Sequence, residues 1–223
     1  MTMHWNDTPL FFVDFEGSRL SGVLEFGVVT LRDGEIAETR GRLCHPTGRI
    51  TEEDAAVHGL RPERLAGEPP FSDEWEYFAG LRARGLLAAH YASAENSLIK
   101  SVWPYPRTGP DFAHPGRSAT EWGPWVDTAR LFEQLVPGVM SLRLETLIVR
   151  QGLQARLDEL AARHCPPGRR DYHSALYDAL GGAVLLQWLL QLPELAGATI
   201  PWLLQMSTLD TEKRAALQQS NLW

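Results

Sequence analysis

The first apolar run of the chain is Leu10-Phe11-Phe12-Val13-Asp14-Phe15-Glu16-Gly17. Read as a strand, it places Phe11, Val13 and Phe15 on one side and Phe12, Asp14 and Glu16 on the other. Gly22 to Leu31, with Val23, Phe26, Val28 and Val29, predicts a second strand. Arg32-Asp33-Gly34-Glu35 then predicts a hairpin turn, because Asp-Gly supplies the positive φ that tight turns need. A third strand follows through Ile36 to Leu43, and three strands joined by short turns make an antiparallel meander.

Beyond residue 43 the period changes. Thr51-Glu52-Glu53-Asp54 offers an N-cap and first-turn acids, so a short helix is predicted to Val57, ending at His58-Gly59-Leu60. Ser72 is a second predicted cap, ahead of Trp75, Phe78 and Leu81 at helical spacing. Gly85 to His90 reads as a short buried strand and Ala92 to Ser101 as a helix carrying Glu95, which implies a parallel crossover. No period is visible from Val102 to Trp125, a loop rich in Pro and Gly that carries Trp103, Tyr105, Trp122 and Trp125. A last short strand is predicted at Trp125–Thr128, with Asp127 or Thr128 starting the next helix. Helices are then predicted from Leu142 to Arg150 behind Ser141, from about Ala155 to His164, and from near His173 to Leu192. The last has Leu176, Leu180, Val184 and Trp188 as its core face. Past Pro193, the apolar residues and Thr208-Leu209-Asp210-Thr211-Glu212 suggest further helices. The expected organisation is one domain over residues 1–192 with a helical extension, 193–223, packed on it.

Composition narrows the class. At 223 residues, 44% hydrophobic and 22% charged, the chain is an ordinary folded protein. No stretch is apolar for long enough to cross a bilayer, so no membrane partner is expected. Met1 to Asp7 lacks the basic-then-apolar layout of a signal peptide, and two cysteines make no disulfide framework. The expected setting is reducing and cytoplasmic, and a homodimer stays open. A net charge of -7 argues against broad electrostatic binding of duplex nucleic acid. It leaves room for a nuclease, since bound divalent ions would offset metal-binding acids locally.

Candidate chemistry starts with Asp14 and Glu16. Two carboxylates pointing the same way from a buried strand repel each other and resist desolvation unless a cation lies between them. The alternative is that the strand has ended and both are in water. His173 and Asp178 are five apart, which on a helix turns them roughly 140° from each other. They converge only if His173 lies at or before the cap and Asp178 in the first turns. The competing account is a surface His and an Asp favoured by the helix dipole. Cys44-His45 and His164-Cys165 form a mirror pair, but the spacing matches no zinc motif. Arg169 and Arg170 suit either a phosphate or simple solubility. The loop aromatics suit either base stacking or their own burial.

Taken in order, these parts resemble the DEDDh family of 3′-to-5′ exonucleases on a ribonuclease H-like fold. The parts are Asp-x-Glu on a first strand, His58-Gly59-Leu60 after a short helix, His90-Tyr91-Ala92-Ser93-Ala94-Glu95 at a strand-to-helix junction, and His173-(four residues)-Asp178 late. The resemblance spans roughly residues 9 to 192. It implies an α/β fold whose mixed sheet has three antiparallel strands and then parallel strands, flanked by helices. It also implies that Asp14, Glu16, Glu95 and Asp178 hold two divalent ions, Mg²⁺ or Mn²⁺, with His173 as general base. Phe15, Gly17, Ser18, Leu20, His58, Leu60, His90 and Tyr91 fall where relatives meet the substrate, Leu20 against the terminal nucleotide. Asp127-Thr128 matches a frequent Asp-Thr.

Two motifs depart from the family pattern. The second motif usually reads His-Asn-Ala-x-Phe-Asp, whereas this chain has Tyr91 for the Asn and Glu95 for the Asp. Gly17-Ser18-Arg19 also stands where Thr-Thr-Gly is common. The implied activity is two-metal hydrolysis that releases nucleoside 5′-monophosphates from single-stranded DNA or RNA, or from frayed 3′ ends. The alternative is a catalytically impaired relative that only binds nucleic acid or a protein.

Overall fold

The computed structural model describes residues 4–195 and 197–208. Strands β1 (Leu10–Ser18), β2 (Gly22–Arg32) and β3 (Glu35–Leu43) form the expected meander. Helices α1 (Glu52–His58) and α2 (Pro62–Leu65) lead through a 3₁₀ turn at Phe71–Glu74 to α3 (Trp75–Arg84). The crossover unit is β4 (Leu86–Ala89) with α4 (Ala92–Val102). A two-residue ribbon, β5 (Gly109–Pro110) with β6 (Ser118–Ala119), lies in the long loop, and β7 (Val126–Asp127) completes the sheet. Helices α5 (Thr128–Leu135), α6 (Leu144–Arg150), α7 (Gln154–His164), α8 (Ala175–Leu190) and α9 (Ile200–Met206) follow.

The sheet order is β3-β2-β1-β4-β7. β1 pairs antiparallel with β2, and β2 with β3; β1 with β4 and β4 with β7 are parallel. This is the ribonuclease H-like mixed sheet that the motif order implies. The alternation along β1 sorts the core into two layers. Phe11, Val13 and Phe15 join Phe71 and Phe78 under α3 and α4, while Leu10 and Phe12 join Leu180, Val184 and the rest of α8 on the opposite face. Asp14 and Glu16 therefore lie on the α8 side. Helix α8 is apolar on nearly every side and buried accordingly. Its first turn comes down on Gly27, the cross-strand neighbour of Asp14. A Cβ at Gly27 would lie 2.4 Å from the backbone of Ala175 and Leu176, so only glycine permits this approach.

Several boundaries differ from the sequence-based expectation, each for a local reason. Ser72 lies inside the 3₁₀ turn rather than capping a helix. Helix α6 begins at Leu144 because the Ser141 hydroxyl accepts from the Arg143 amide at 3.3 Å, which closes a turn before the helix starts. Helix α2 was not predicted; its marker is Pro62 at the first helical position. The loop from 102 to 125 is ordered by burial of its aromatics. The Trp122 indole donates to the Trp103 carbonyl at 2.7 Å and the Trp125 indole to Asn96 Oδ1 at 3.1 Å. Buried Arg82 on α3 donates to the carbonyls of Glu121, Pro110 and Gly123. That leaves Tyr105 as the exposed ring of the four. Helix α9 packs on α5 and β7. The suggested helix at Thr208–Glu212 lies, past residue 208, outside the described residues.

Candidate active site

Because β1, β4 and β7 run parallel, their carboxyl ends share one edge of the sheet, the usual location of sites in open α/β sheets. β1 outruns its neighbour there, since its pairing with β4 covers only Leu10 to Phe12. Asp14 and Glu16 thus sit on a stretch open on that side. The strand ends in a bulge between Glu16 and Gly17. Gly17 has φ 131°, and a Cβ there would lie 2.2 Å from the Gly22 carbonyl, so glycine is required. The turn is closed by Ser18 and Ser21, whose amides and hydroxyls hydrogen-bond reciprocally.

Glu95 arrives from the first turn of α4 and is 6% exposed. Its Oε2 accepts from the Phe15 amide at 2.9 Å, which places the carboxylate between the two acids of β1. It thereby satisfies a strand N–H that β4 is too short to reach. The start of α4 is set by Asp127, whose carboxylate accepts from the amides of Tyr91 and Ala92 and also caps α5 at Ala129 and Arg130. The Asp-Thr pair therefore joins two helix N-termini, and both Asp127 oxygens accept from backbone amides.

Asp178 and His173 meet the convergence condition set by their spacing. Helix α8 starts at Ala175, Ser174 is its N-cap, and His173 precedes it with φ 62°. The His173 amide donates to Asp178 Oδ2 at 3.0 Å. Ligand atoms of Glu16, His173 and Asp178 all lie within 4.8 Å of one another.

The electrostatics of the cluster are unfavourable for a set of bare anions. Burial, then repulsion from Glu95, Asp178 and Glu16, pushes the Asp14 carboxyl well above the ordinary carboxylate range. Burial likewise raises Glu95, against the lowering effect of the Phe15 amide. Glu16 is pushed up to about 8 by burial and then by Asp178, and Asp178 to about 7 by burial. Among the described residues, no Lys or Arg forms an ion pair with any of the four. Asp178 Oδ1 is buried without a hydrogen-bond partner. An unpartnered buried oxygen, carboxylates from three separate elements and an adjacent imidazole fit hard divalent cations.

Comparison with known proteins agrees with this topology. Exonuclease X, solved with 5′-overhanging duplex DNA, superposes with a TM-score of 0.64 at 22% identity, covering 87% of this chain and 99% of that one. The nuclease domain of 3′hExo, described as a DEDDh family member and bound to rAMP, gives a TM-score of 0.57 at 13% identity, over 82% of this chain and 92% of that one. The fold is that of the DEDDh exonucleases. Exonuclease I of E. coli, in complex with a dT13 oligonucleotide, gives 0.58 at 12% identity, covering 94% of this chain and 46% of that one. In sequence, the PolC-type DNA polymerase III of Thermotoga petrophila is 23% identical over 145 residues, 63% of this chain. The chain spans 10% of the length of that relative. No protein-family model matches the chain.

Within this DEDDh fold, the other residues expected at the substrate divide into two groups. Leu20 is 55% exposed beside the β1–β2 turn, and Tyr91 is exposed at the start of α4. Tyr91 has φ 63°, a region that asparagine enters far more readily than tyrosine, in keeping with the Asn of the family motif. Phe15 and Leu60, by contrast, are buried in apolar clusters, and their side chains present no face to a ligand. Both ring nitrogens of His90 are used, Nε2 donating to the Leu142 carbonyl at 2.6 Å and Nδ1 bonding the Thr128 hydroxyl at 2.9 Å. Burial lowers His90 to about 4, so the ring is a neutral strut. His58 is buried; its Nδ1 accepts from the Leu60 amide at 3.0 Å and its Nε2 has no partner.

Both arginines are committed within the protein, and only Arg169 departs from a surface position. Arg170 is spent on the carbonyls of Cys165 and Ala162 at the end of α7. Arg169 is buried in an ion pair with Glu25. Sequence reasoning missed Glu25; its signal was a lone acid in the apolar second strand, opposite Glu16 in register. The zinc reading also fails, because Cys44 and Cys165 lie in core layers on opposite faces of the sheet.

Proposed function

We propose that the protein is a divalent-metal-dependent 3′-to-5′ exonuclease that releases nucleoside 5′-monophosphates from single-stranded DNA or RNA ends. The observation that carries the reading is that ligand atoms of Glu16, His173 and Asp178 lie within 4.8 Å of one another, with Asp14 and Glu95 outside that group but close enough to repel its acids, and with no Lys or Arg in an ion pair with any of the four acids among the described residues. A protein that only bound nucleic acid would gain nothing from so costly an arrangement. Residues 1–192 form the nuclease unit in this reading, and the described α9 packs on it.

Asp14, Glu16, Glu95 and Asp178 are the residues that would hold the ions, Mg²⁺ or Mn²⁺. Such cations supply positive charge and Lewis acidity to a scissile phosphate and to water. His173, exposed at the rim next to Glu16 and Asp178, takes the proton of the attacking water as general base. Asp178 fixes the backbone from which that ring projects. Leu20 offers an apolar face to the terminal nucleotide, and Tyr91, packed edge-on against His90, keeps part of its ring exposed for a base. The net charge of -7 favours recognition of an end through the loaded site over a basic groove along a duplex.

The test is incubation of a 5′-labelled single-stranded oligonucleotide with protein and Mn²⁺, with and without chelator. The reading expects a ladder shortening from the 3′ end, nucleoside 5′-monophosphates as product, and complete loss with chelator. His173→Ala should reduce turnover by about 10²–10⁴-fold while Mn²⁺ affinity stays within about threefold. Chelator-resistant cleavage, or internal cuts in place of a ladder, would overturn it.

A further inference from the structure

The loop that carries His173 is fastened by one buried side chain, and nothing in the four-acid cluster explains it. Arg169 Nη2 donates to the His173 carbonyl at 2.9 Å, and Nη1 to the His58 carbonyl at 2.7 Å. Two more donors go to Glu25, with Nε on Oε1 at 3.2 Å and Nη2 on Oε2. Glu25 Oε2 also accepts from the Ala175 amide, the first of α8, at 3.2 Å. Arg169 and Glu25 are 7% and 5% exposed, so the pair is neither a surface ornament nor a phosphate clamp.

The His173 backbone shows what the pair does. A non-glycine residue at φ 62° is strained and persists only where its surroundings over-determine it. Here both polar groups of the residue are held: its N–H by Asp178 and its C=O by Arg169. The direction of the Cα–Cβ bond, from which the imidazole projects, follows from those two contacts. Glu25 lies directly across from Glu16 in the β1–β2 register. The same pair therefore references the imidazole to the strand that bears the first two acids.

We propose that Arg169 and Glu25 are positioning residues, a buried bidentate pair that holds the His173 loop over the carboxylate cluster. The proposal rests on the reading of His173 as general base. Arginine is required because a lysine, with one nitrogen, cannot bond the His58 carbonyl, the His173 carbonyl and both oxygens of Glu25 at once. The guanidinium forms no ion pair with the four acids, and although its charge lowers Glu16 and Asp178, a lysine keeps that charge, so the loss in Arg169→Lys acts through His173.

The experiment is a double-mutant cycle on the full chain with Arg169→Lys and His173→Ala, followed by Mn²⁺-dependent release of nucleotide from a single-stranded oligonucleotide. Arg169→Lys should lower kcat by at least about 10-fold with KM within about threefold. In the His173→Ala background the same change should cost less than about twofold. Equal losses in both backgrounds would mean a general structural role and would overturn the proposal, as would full activity in Arg169→Lys. Should that variant lack a cooperative melting transition, Glu25→Asp, which keeps the charge and shortens the reach to Arg169, takes its place in the cycle with the same expectations. A second readout is independent of activity: the His173 Cε1–H NMR resonance of the metal-free protein should move in Arg169→Lys, and an unmoved resonance contradicts the proposal. If the wild-type protein releases no nucleotide, the exonuclease reading falls, while the NMR comparison still decides whether Arg169 sets the ring.

Discussion

Glutamate at position 95 has one more methylene than aspartate, about 1.5 Å of reach. That length is used, since Oε2 reaches the Phe15 amide in the middle of β1. Glu95→Ala should therefore cut turnover by more than about 100-fold. Glu95→Asp, which keeps the charge but loses the span, should retain between about a tenth and a hundredth of activity. Steady-state rates at saturating Mn²⁺ check both, and a wild-type rate for Glu95→Ala would remove this residue from the site. The raised acids also fix a pH dependence. Each raised group lends the metal-free protein stability that is whole below its ordinary pKa, near 4, and is lost as pH climbs through about 7 for Asp178 and about 8 for Glu16. Divalent ions bind the deprotonated forms, so their stabilisation grows over the same window. The gap in thermal midpoint between Mg²⁺-loaded and chelator-treated protein should widen from pH 5 to pH 8; a constant gap would contradict the assignment.

At the level of elements, the site exists because α8 lies unusually close to the sheet at one point. Gly27→Ala pushes a methyl group into the backbone of Ala175 and Leu176, where no side chain can rotate away. Overpacking of this kind costs about 3 kcal/mol, and it would lift Asp178 and His173 off β1. Chemical denaturation should register the loss in stability, and a loss under about 1 kcal/mol would mean that α8 is less tightly seated. This contact could not be read from the chain, because glycine in a strand has several explanations and only the packed helix selects one. The alternation of β1, the Asp-Gly hairpin and the cap at Thr51 were legible, since each depends on neighbours in sequence. The start of α8 was misplaced by two residues, since a left-handed His173 is imposed by Asp178 and Arg169 rather than by local preference. Arg169 and Glu25, 144 residues apart, show the same limit: a lone acid and an arginine doublet look like surface until the fold pairs them.

For the molecule as a whole, order along the chain carried more than any single motif. Asp14, Glu16, Glu95 and Asp178 come from β1, α4 and α8, and each has a bland explanation when read alone. Their convergence follows from the parallel β1–β4 pairing and the return of α8 across β1 and β2. What stayed illegible was which neighbours of the acids face outward. Leu20 and Tyr91 do, while Phe15 and Leu60 are structural, because burial is a property of the assembled layers. The central claim is that the four carboxylates act as one cation site beside His173. Anomalous diffraction from crystals of the full chain soaked in Mn²⁺ tests it most directly. The account predicts anomalous peaks ligated by Asp14, Glu16, Glu95 and Asp178 within reach of His173; ordered Mn²⁺ elsewhere with none among these four side chains would contradict it.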